Sequence, residues 1–288
     1  VLKQESGRTS QKTFGLISGH LERGSLKKTY KHQQKRILLV EDISTNRLVA
    51  LALLRKMGLT ADAVANGEEA IQMLTSMPYD LVLMDLQMPV MDGVTATNII
   101  RDPKSNVLNH KIPVIAMTAH AMAGDREACL KAGMDDYLTK PIDPETLADM
   151  LDRWLPESKS PKEVQAAKSP PPQEQESPTP VFDHAALTAR TLGDHDMVRM
   201  VVNCFLEEAP QLVDRLRQDI AGGNFSESMK SAHTIKGSAA NLSADRFSSV
   251  ARDVEAAARD CDPEKLKLLF SSLEEEWSNL QKILEAYR

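Results

Sequence analysis

Residues 80–93 read Asp80-Leu-Val-Leu-Met-Asp85-Leu-Gln87-Met-Pro89-Val-Met-Asp-Gly93, and their reading decides the fold. The apolar run between the two aspartates is a short strand that delivers Asp85 to its carboxyl end, followed by a turn built on Pro89 and Gly93. In an open parallel α/β sheet, that end of a strand is where ligands and chemistry sit. A lone aspartate there serves equally well as a helix N-cap, so the neighbouring segments must decide.

Upstream, Arg36-Ile-Leu-Leu-Val-Glu41-Asp42 places two further carboxylates at the end of another apolar run. Downstream, Ile112-Pro-Val-Ile-Ala-Met-Thr118 ends on a hydroxyl, and Asp135-Asp-Tyr137-Leu-Thr-Lys140-Pro141 ends on an ammonium. Three acids, a hydroxyl and a lysine on one rim make a metal-assisted phosphoryl site. The pattern around them alternates. Strands are predicted near 36–40, 60–64, 80–84, 113–117 and 135–138, separated by amphipathic stretches near 44–57, 67–77, 93–101, 124–132 and 143–155. Such alternation implies a parallel sheet with helices on both faces. Five strands with one functional rim suggest the flavodoxin-like, doubly wound order 2-1-3-4-5. Ser44 and Asp143 are the expected N-caps, and Gly58 and Gly133 the expected helix stops.

Three further segments complete the chain. Residues 1–35 form a basic lead-in, with eight Lys/Arg against two Asp/Glu and no sustained period, and are expected to be flexible. Residues 157–180 hold prolines among Ser, Gln, Glu and Lys and read as an extended linker. Residues 181–288 turn to a helical period throughout. Apolar stripes such as Met197, Val201, Phe205 and Leu212, or Leu266, Phe270, Leu273 and Trp277, mark four amphipathic helices of an up-and-down bundle, with a short helix near 183–192.

Composition narrows the function classes. The apolar content of 42% permits real cores, and the aromatic content of 4% fits α-rich or α/β structure rather than a sandwich. Residues 36–156 carry eleven Lys/Arg against seventeen Asp/Glu, and residues 181–288 thirteen against eighteen, which argues against nucleic-acid binding by either folded part. Cys129, Cys204 and Cys261 have no metal-ligand spacing and are expected to be buried or partly buried free thiols in a reducing compartment. No apolar run reaches the length of a membrane span, and no signal-peptide pattern opens the chain. The chain begins with Val, so a piece of a larger protein is expected, cytoplasmic, with any membrane anchor or sensor outside it.

Within the bundle stands Ser231-Ala-His233-Thr-Ile-Lys236-Gly237-Ser-Ala-Ala240. On a helix, Lys236 at i+3 and Gly237 at i+4 share the face of His233. The lysine is expected to place positive charge where a phosphorylated imidazole would sit, and the glycine to relieve crowding on the ring. A mid-helix glycine costs about 0.5–1 kcal/mol relative to alanine, so it asks for a reason. The other histidines gain no role: His20 and His32 lie in the lead-in, His110 before the fourth strand, His120 just past Thr118, and His184 and His195 near the first bundle helices.

Residues 36 to about 156 resemble the receiver domain of two-component response regulators in the order and spacing of the acidic pair, acceptor Asp, Thr and Lys-Pro. Residues 181–288 resemble the histidine-containing phosphotransfer (HPt) domain, whose acceptor motif reads His-x-x-Lys-Gly. The resemblance implies that Asp85 and His233 are phosphoacceptors, supported by Thr118 and Lys140 and by Lys236 and Gly237. It further implies Mg²⁺ (or Mn²⁺) held by Asp42, Asp85 and the carbonyl of Gln87, with Glu41 acting through water. It also implies a cis Lys140–Pro141 bond, and Tyr137 as an aromatic switch. Together the domains look like the carboxyl-terminal part of a hybrid sensor histidine kinase. The implied partners are the kinase core of the parent protein and the receiver domain of a downstream response regulator. No glycine-rich nucleotide-binding segment occurs, so ATP use by this chain is not expected. Two alternatives stay open: a phosphate sink running from His233 back to Asp85 with hydrolysis, and a non-catalytic docking module.

Overall fold

A computed structural model describes residues 35–118, 129–155 and 180–288. Nearly all of the lead-in and the Pro-rich linker, most of the expected helix at 124–132, and His20, His32 and His120 lie outside the described residues.

Strands β1 (Arg36–Val40), β2 (Thr60–Val64), β3 (Leu81–Asp85), β4 (Val114–Thr118) and β5 (Asp136–Thr139) form one sheet in the order β2-β1-β3-β4-β5, every ladder parallel. Parallel neighbours need crossovers, which carry helices over both faces. On one face Ile37, Leu39, Leu83 and Met117 pack with Val49 and Leu53 of α1 (Ser44–Lys56) and Leu147 and Leu151 of α4 (Pro144–Trp154). On the other, Leu38, Val82 and Val114 pack with Ala70 and Leu74 of α2 (Gly67–Ser76) and Ala96 and Ile100 of α3 (Gly93–Arg101). β1 pairs with β2 on one side and β3 on the other, and the chain runs from β1 out to β2 and then back past β1 to β3, so a crevice opens at the carboxyl ends of β1 and β3. That crevice is where Glu41, Asp42 and Asp85 emerge.

The tight turn after β3 depends on Gly93. A Cβ placed there would lie 2.1 Å from the carbonyl oxygen of Asp85, so only glycine lets α3 start this close to the acceptor strand. Asp92 caps that helix, accepting from Thr95 N at 2.7 Å. Asp143 caps α4 as expected, accepting from Thr146 N at 2.8 Å. Ser44 does not cap α1. It is the first helical residue, and the N-cap is Ile43, which has no side-chain acceptor.

The carboxyl-terminal half is all-helical: α5 (His184–Arg190), α6 (His195–Ala221), α7 (Phe225–Asn241), α8 (Asp245–Arg259) and α9 (Pro263–Leu284). Asp194, Asn224 and Asp262 cap α6, α7 and α9 through their own side chains. Phe205, Phe247 and Trp277 meet in the core, the Trp277 ring centroid lying 5.9 Å from Phe205 and 5.8 Å from Phe247. Of the thiols, Cys129 is buried and Cys204 half-buried. Cys261 departs from expectation: it sits with φ 55° in the turn between α8 and α9 and is exposed. Helix α1 of the sheet half lies against α6 and α7, where Leu48 and Leu51 join the apolar cluster that runs on into the bundle.

Candidate functional site

Three strand ends and the segment after β5 build the rim. Glu41 and Asp42 follow β1, Asp85 is the last residue of β3, Thr118 the last of β4, and Lys140 follows β5. Lys140 Nζ is 2.6 Å from Glu41 Oε2 and 2.7 Å from Asp85 Oδ2. Its backbone N–H donates to Thr118 O at 2.7 Å, and the Lys140–Pro141 bond is cis. Glu41, Asp85, Thr118 and Lys140 are all withdrawn from solvent.

One carboxylate oxygen each from Glu41, Asp42 and Asp85 lies within 4.8 Å of the others. Burial, reinforced by the Asp85 charge, pushes Glu41 up to about 7 against the pull of Lys140. The same two causes push Asp42 up to about 6. Lys140 is held above its usual range: burial works against its charge, but Asp85 and Glu41 outweigh it. A single ammonium therefore leaves the three acids short of positive charge. An oxygen-only donor set of this kind suits a hard divalent cation such as Mg²⁺. Gln87 is exposed beside it, its N–H 3.3 Å from Asp85 Oδ1. Tyr137 is half-buried, paired with Ala116 across β4 and packed on the core face that holds Val82 and Val114.

The second site is on α7. His233 Nδ1 lies 3.0 Å from Glu255 Oε1 of α8, and Lys236 Nζ is 2.6 Å from Glu255 Oε2. Burial alone would raise Glu255, yet hydrogen bonds from His233 and Lys236 pull it down to about 2. Glu255 is thus ionised at neutral pH and can only accept, so Nδ1 carries the proton it donates. Lys236 Nζ also approaches Nδ1, at 3.4 Å, but that longer contact would need an acceptor at the same atom, and the carboxylate decides. Lys236 is mostly buried, and burial lowers it despite Glu255. Its ammonium sits on the Nδ1 side of the ring, tied to Glu255. Gly237 does not relieve the ring as far as a β-carbon reaches, since a Cβ there meets no atom within 4 Å. The space it leaves opens outward instead.

Rim residues and α7 residues share two clefts. Lys140 of the rim and Lys236, Gly237, Ser248 and Arg252 of the bundle line one cleft. Asp42, Gln87 and Met88 line a second one with Arg215, Ser231 and Thr234. Residues on both sides of His233 along α7 therefore look onto the rim.

Comparison with known proteins agrees with this division. The response regulator receiver domain family matches residues 37–152, and the Hpt domain family matches residues 200–286. The chain is a receiver domain followed by an Hpt domain. Among its relatives, the signal transduction histidine-protein kinase BarA of Shigella flexneri is 32% identical over 244 residues, covering 81% of this chain and 26% of that protein. The sensor histidine kinase GacS of Pseudomonas protegens is 41% identical over 139 residues, covering 48% of this chain and 15% of that protein. The chain thus spans about a quarter or less of these relatives. Among solved structures, the receiver domain of sensor histidine kinase PA1611 of Pseudomonas aeruginosa PAO1 has a TM-score of 0.39 at 44% identity, covering 42% of this chain and 97% of that one.

The receiver rim thus gathers Glu41, Asp42, Asp85, Thr118 and Lys140, with Gln87 at its edge and Tyr137 in the flanking core. The Hpt site gathers His233 and Lys236, while Gly237 lines the cleft. Sequence reasoning missed Glu255. The signal was there: Glu255 lies four residues after Ala251 and three before Ala258, on the buried face of α8, and a carboxylate inside an apolar stripe needs a partner.

Proposed function

We propose that this chain relays phosphate between its two domains. Asp85 takes a phosphoryl group from a histidine of a kinase core outside residues 1–288. His233 then takes it from Asp85 and passes it to the receiver domain of a separate response regulator. The observation that carries this reading is the shared cleft, in which Lys140 of the receiver meets Lys236 and Gly237 of the Hpt domain.

In the first step an Asp85 carboxylate oxygen bonds to phosphorus, and the phosphorus–nitrogen bond of the donor histidine breaks. In the second, His233 Nε2 attacks, the Asp85 oxygen–phosphorus bond breaks, and the carboxylate is restored. Glu255 holds the proton on Nδ1, which leaves the lone pair on Nε2 and offsets the positive charge the ring acquires. Lys140 would neutralise phosphoryl oxygens, and Thr118 would donate to them. Asp42, Asp85 and the carbonyl of Gln87, with Glu41 through water, would hold Mg²⁺ (or Mn²⁺), whose charge suits the oxygens of the transferring group. Tyr137 would follow Thr118 inward on phosphorylation and alter the surface of the last strand. On this reading the domains are phosphotransferase modules of a hybrid sensor histidine kinase, on the cytoplasmic side of its membrane. Among the described residues, no helix is long and apolar enough to cross a membrane.

The test is to label the chain with acetyl phosphate and Mg²⁺. Base-labile phosphate at Asp85 should precede base-stable phosphate at His233, and Asp85→Ala should abolish both. Undiminished His233 labelling in Asp85→Ala overturns the order. A chain labelled at His233 by phosphoramidate separates a sink from a forward relay: the sink returns label to Asp85 and releases it faster than it reaches a second receiver.

A further inference from the structure

Several helices of this chain carry their own N-terminal acceptor: Asn66, Asp92, Asp143 and Asp194 each take a backbone N–H of the first turn. Receiver helix α1 does not. Its N-cap Ile43 is aliphatic, and its first turn contains no acid. The first backbone N–H groups of any helix lack intrahelical partners and favour an anion. Here the anion comes from the other domain. Glu208 of Hpt helix α6 accepts from Ser44 N at 2.7 Å through Oε1, and from Thr45 N at 2.9 Å and Thr45 Oγ1 at 2.6 Å through Oε2. Three donors on two oxygens fix both the position and the direction of the helix end, as a lone salt link would not.

Two further contacts continue the line along α1. Asn241 Nδ2 donates to Asn46 Oδ1 at 2.7 Å, and Asn46 Nδ2 donates in turn to Glu41 Oε1 at 2.9 Å, so a buried amide pair joins the Hpt domain to the rim. At the far end, Lys56 Nζ donates to the carbonyls of Thr191 and Leu192 at 2.5 and 3.2 Å and lies 3.5 Å from Asp194. Helix α1 has 13 residues and spans roughly 20 Å, so these sockets grip it at both ends. Ser44 lies two residues beyond Asp42, which means the capped end is also the end that carries the rim acids.

We propose that Glu208 is a positioning residue for phosphoryl transfer. It supplies the N-cap that α1 lacks, and thereby locks the receiver onto the Hpt domain in the register that sets the Lys140 rim against the His233 face. This rests on the relay reading above. Glu208 is half-buried on α6, outside the aromatic core, so its replacement leaves both domains folded.

The experiment uses the full chain. Glu208→Ala should leave Asp85 labelling by acetyl phosphate unchanged and slow the appearance of base-stable phosphate on His233 by about tenfold to a hundredfold, the range for hydrogen bonds to a charged group. Glu208→Gln, which keeps one acceptor oxygen, should fall between. Thr45→Val should slow transfer in the wild-type background and add nothing to Glu208→Ala, because both remove one interaction. Amide hydrogen exchange gives a readout that does not depend on transfer: Ser44 and Thr45 should lose protection in Glu208→Ala, while Thr95, capped by Asp92 within its own domain, should not. Transfer at the wild-type rate in Glu208→Ala overturns the proposal. So does slower transfer with unchanged Ser44 and Thr45 exchange, since the loss would then not come through the cap. If the wild-type chain never labels His233, the relay reading fails, and the exchange measurement alone decides whether Glu208 caps α1.

Discussion

Glu255→Gln keeps the size of the side chain while removing its charge, and its effects follow from two contacts. The carboxylate accepts from Lys236 Nζ at 2.6 Å and from His233 Nδ1 at 3.0 Å, and these hold it at about 2 against an ordinary value of 4.5. A shift of that size corresponds to about 3 kcal/mol of stability at neutral pH. The variant should lose an amount of that order, because Lys236 remains buried without its counter-ion. The kinetic effect should be larger than the loss of one contact. An amide nitrogen facing Nδ1 donates to it, which moves the ring proton to Nε2 and blocks attack on phosphorus. A carboxylate-to-amide change beside the histidine of a serine-protease triad lowers rate by about 10⁴. Here a fall of at least about a hundredfold in Asp85-to-His233 transfer is expected, with Asp85 labelling intact. Because the folded-state value is depressed, the stabilisation is fully present above pH 4.5 and is lost as pH falls from there toward about 2. The gap between wild type and variant in urea unfolding should therefore narrow through that window. Transfer at the wild-type rate, or a stability gap that stays constant as the pH drops through it, would refute the assignment of Glu255.

Three further outcomes are expected. Asp42→Asn should weaken Mg²⁺ binding and suppress labelling by acetyl phosphate without unfolding the sheet; normal labelling at low Mg²⁺ would sink the metal assignment. Phe247→Ala, at a fully buried position between Phe205 and Trp277, should cost about 3–5 kcal/mol in equilibrium unfolding; a loss below about 1 kcal/mol would mean the aromatic cluster does not hold the bundle. Mixing Asp85→Ala chains with His233→Gln chains should give much slower transfer at micromolar protein than the wild-type chain, where tethering corresponds to roughly millimolar effective concentration. Equal rates would show that the reaction runs between molecules.

The sheet was legible because β1, β3 and β4 are short apolar runs and four of the five strands have a functional residue at or just past the carboxyl end, and boundaries fell within one residue of those seen, as for β3 at Leu81–Asp85. The rim was legible for the same reason: parallel strands bring their carboxyl ends together, so position along the chain predicts position in space. What escaped was built across helices. Glu255 reaches His233 from α8, and Glu208 reaches α1 across more than 160 residues, so neither pairing leaves a local spacing to read. Ser44 was misplaced because the capping rule assumes that a helix caps itself. Gly237 has a Cβ position open to space, and its meaning appears only once the receiver stands opposite.

The cleft between Lys140 and Gly237 also bears on throughput. Lys236 and Gly237, which follow His233 on α7, share that cleft with Lys140 of the receiver. On the relay proposed above, a second receiver would reach the His233 face only after the first has let go, so loading and delivery would be mutually exclusive in time. The dwell of the chain's own receiver would then act as a valve: a stickier grip would hasten filling and delay export, and a looser one would do the reverse. A carboxylate cap, an amide pair and one lysine along a single helix, laid over a few leucines, make up that grip, and their combined strength would set how long the valve stays shut.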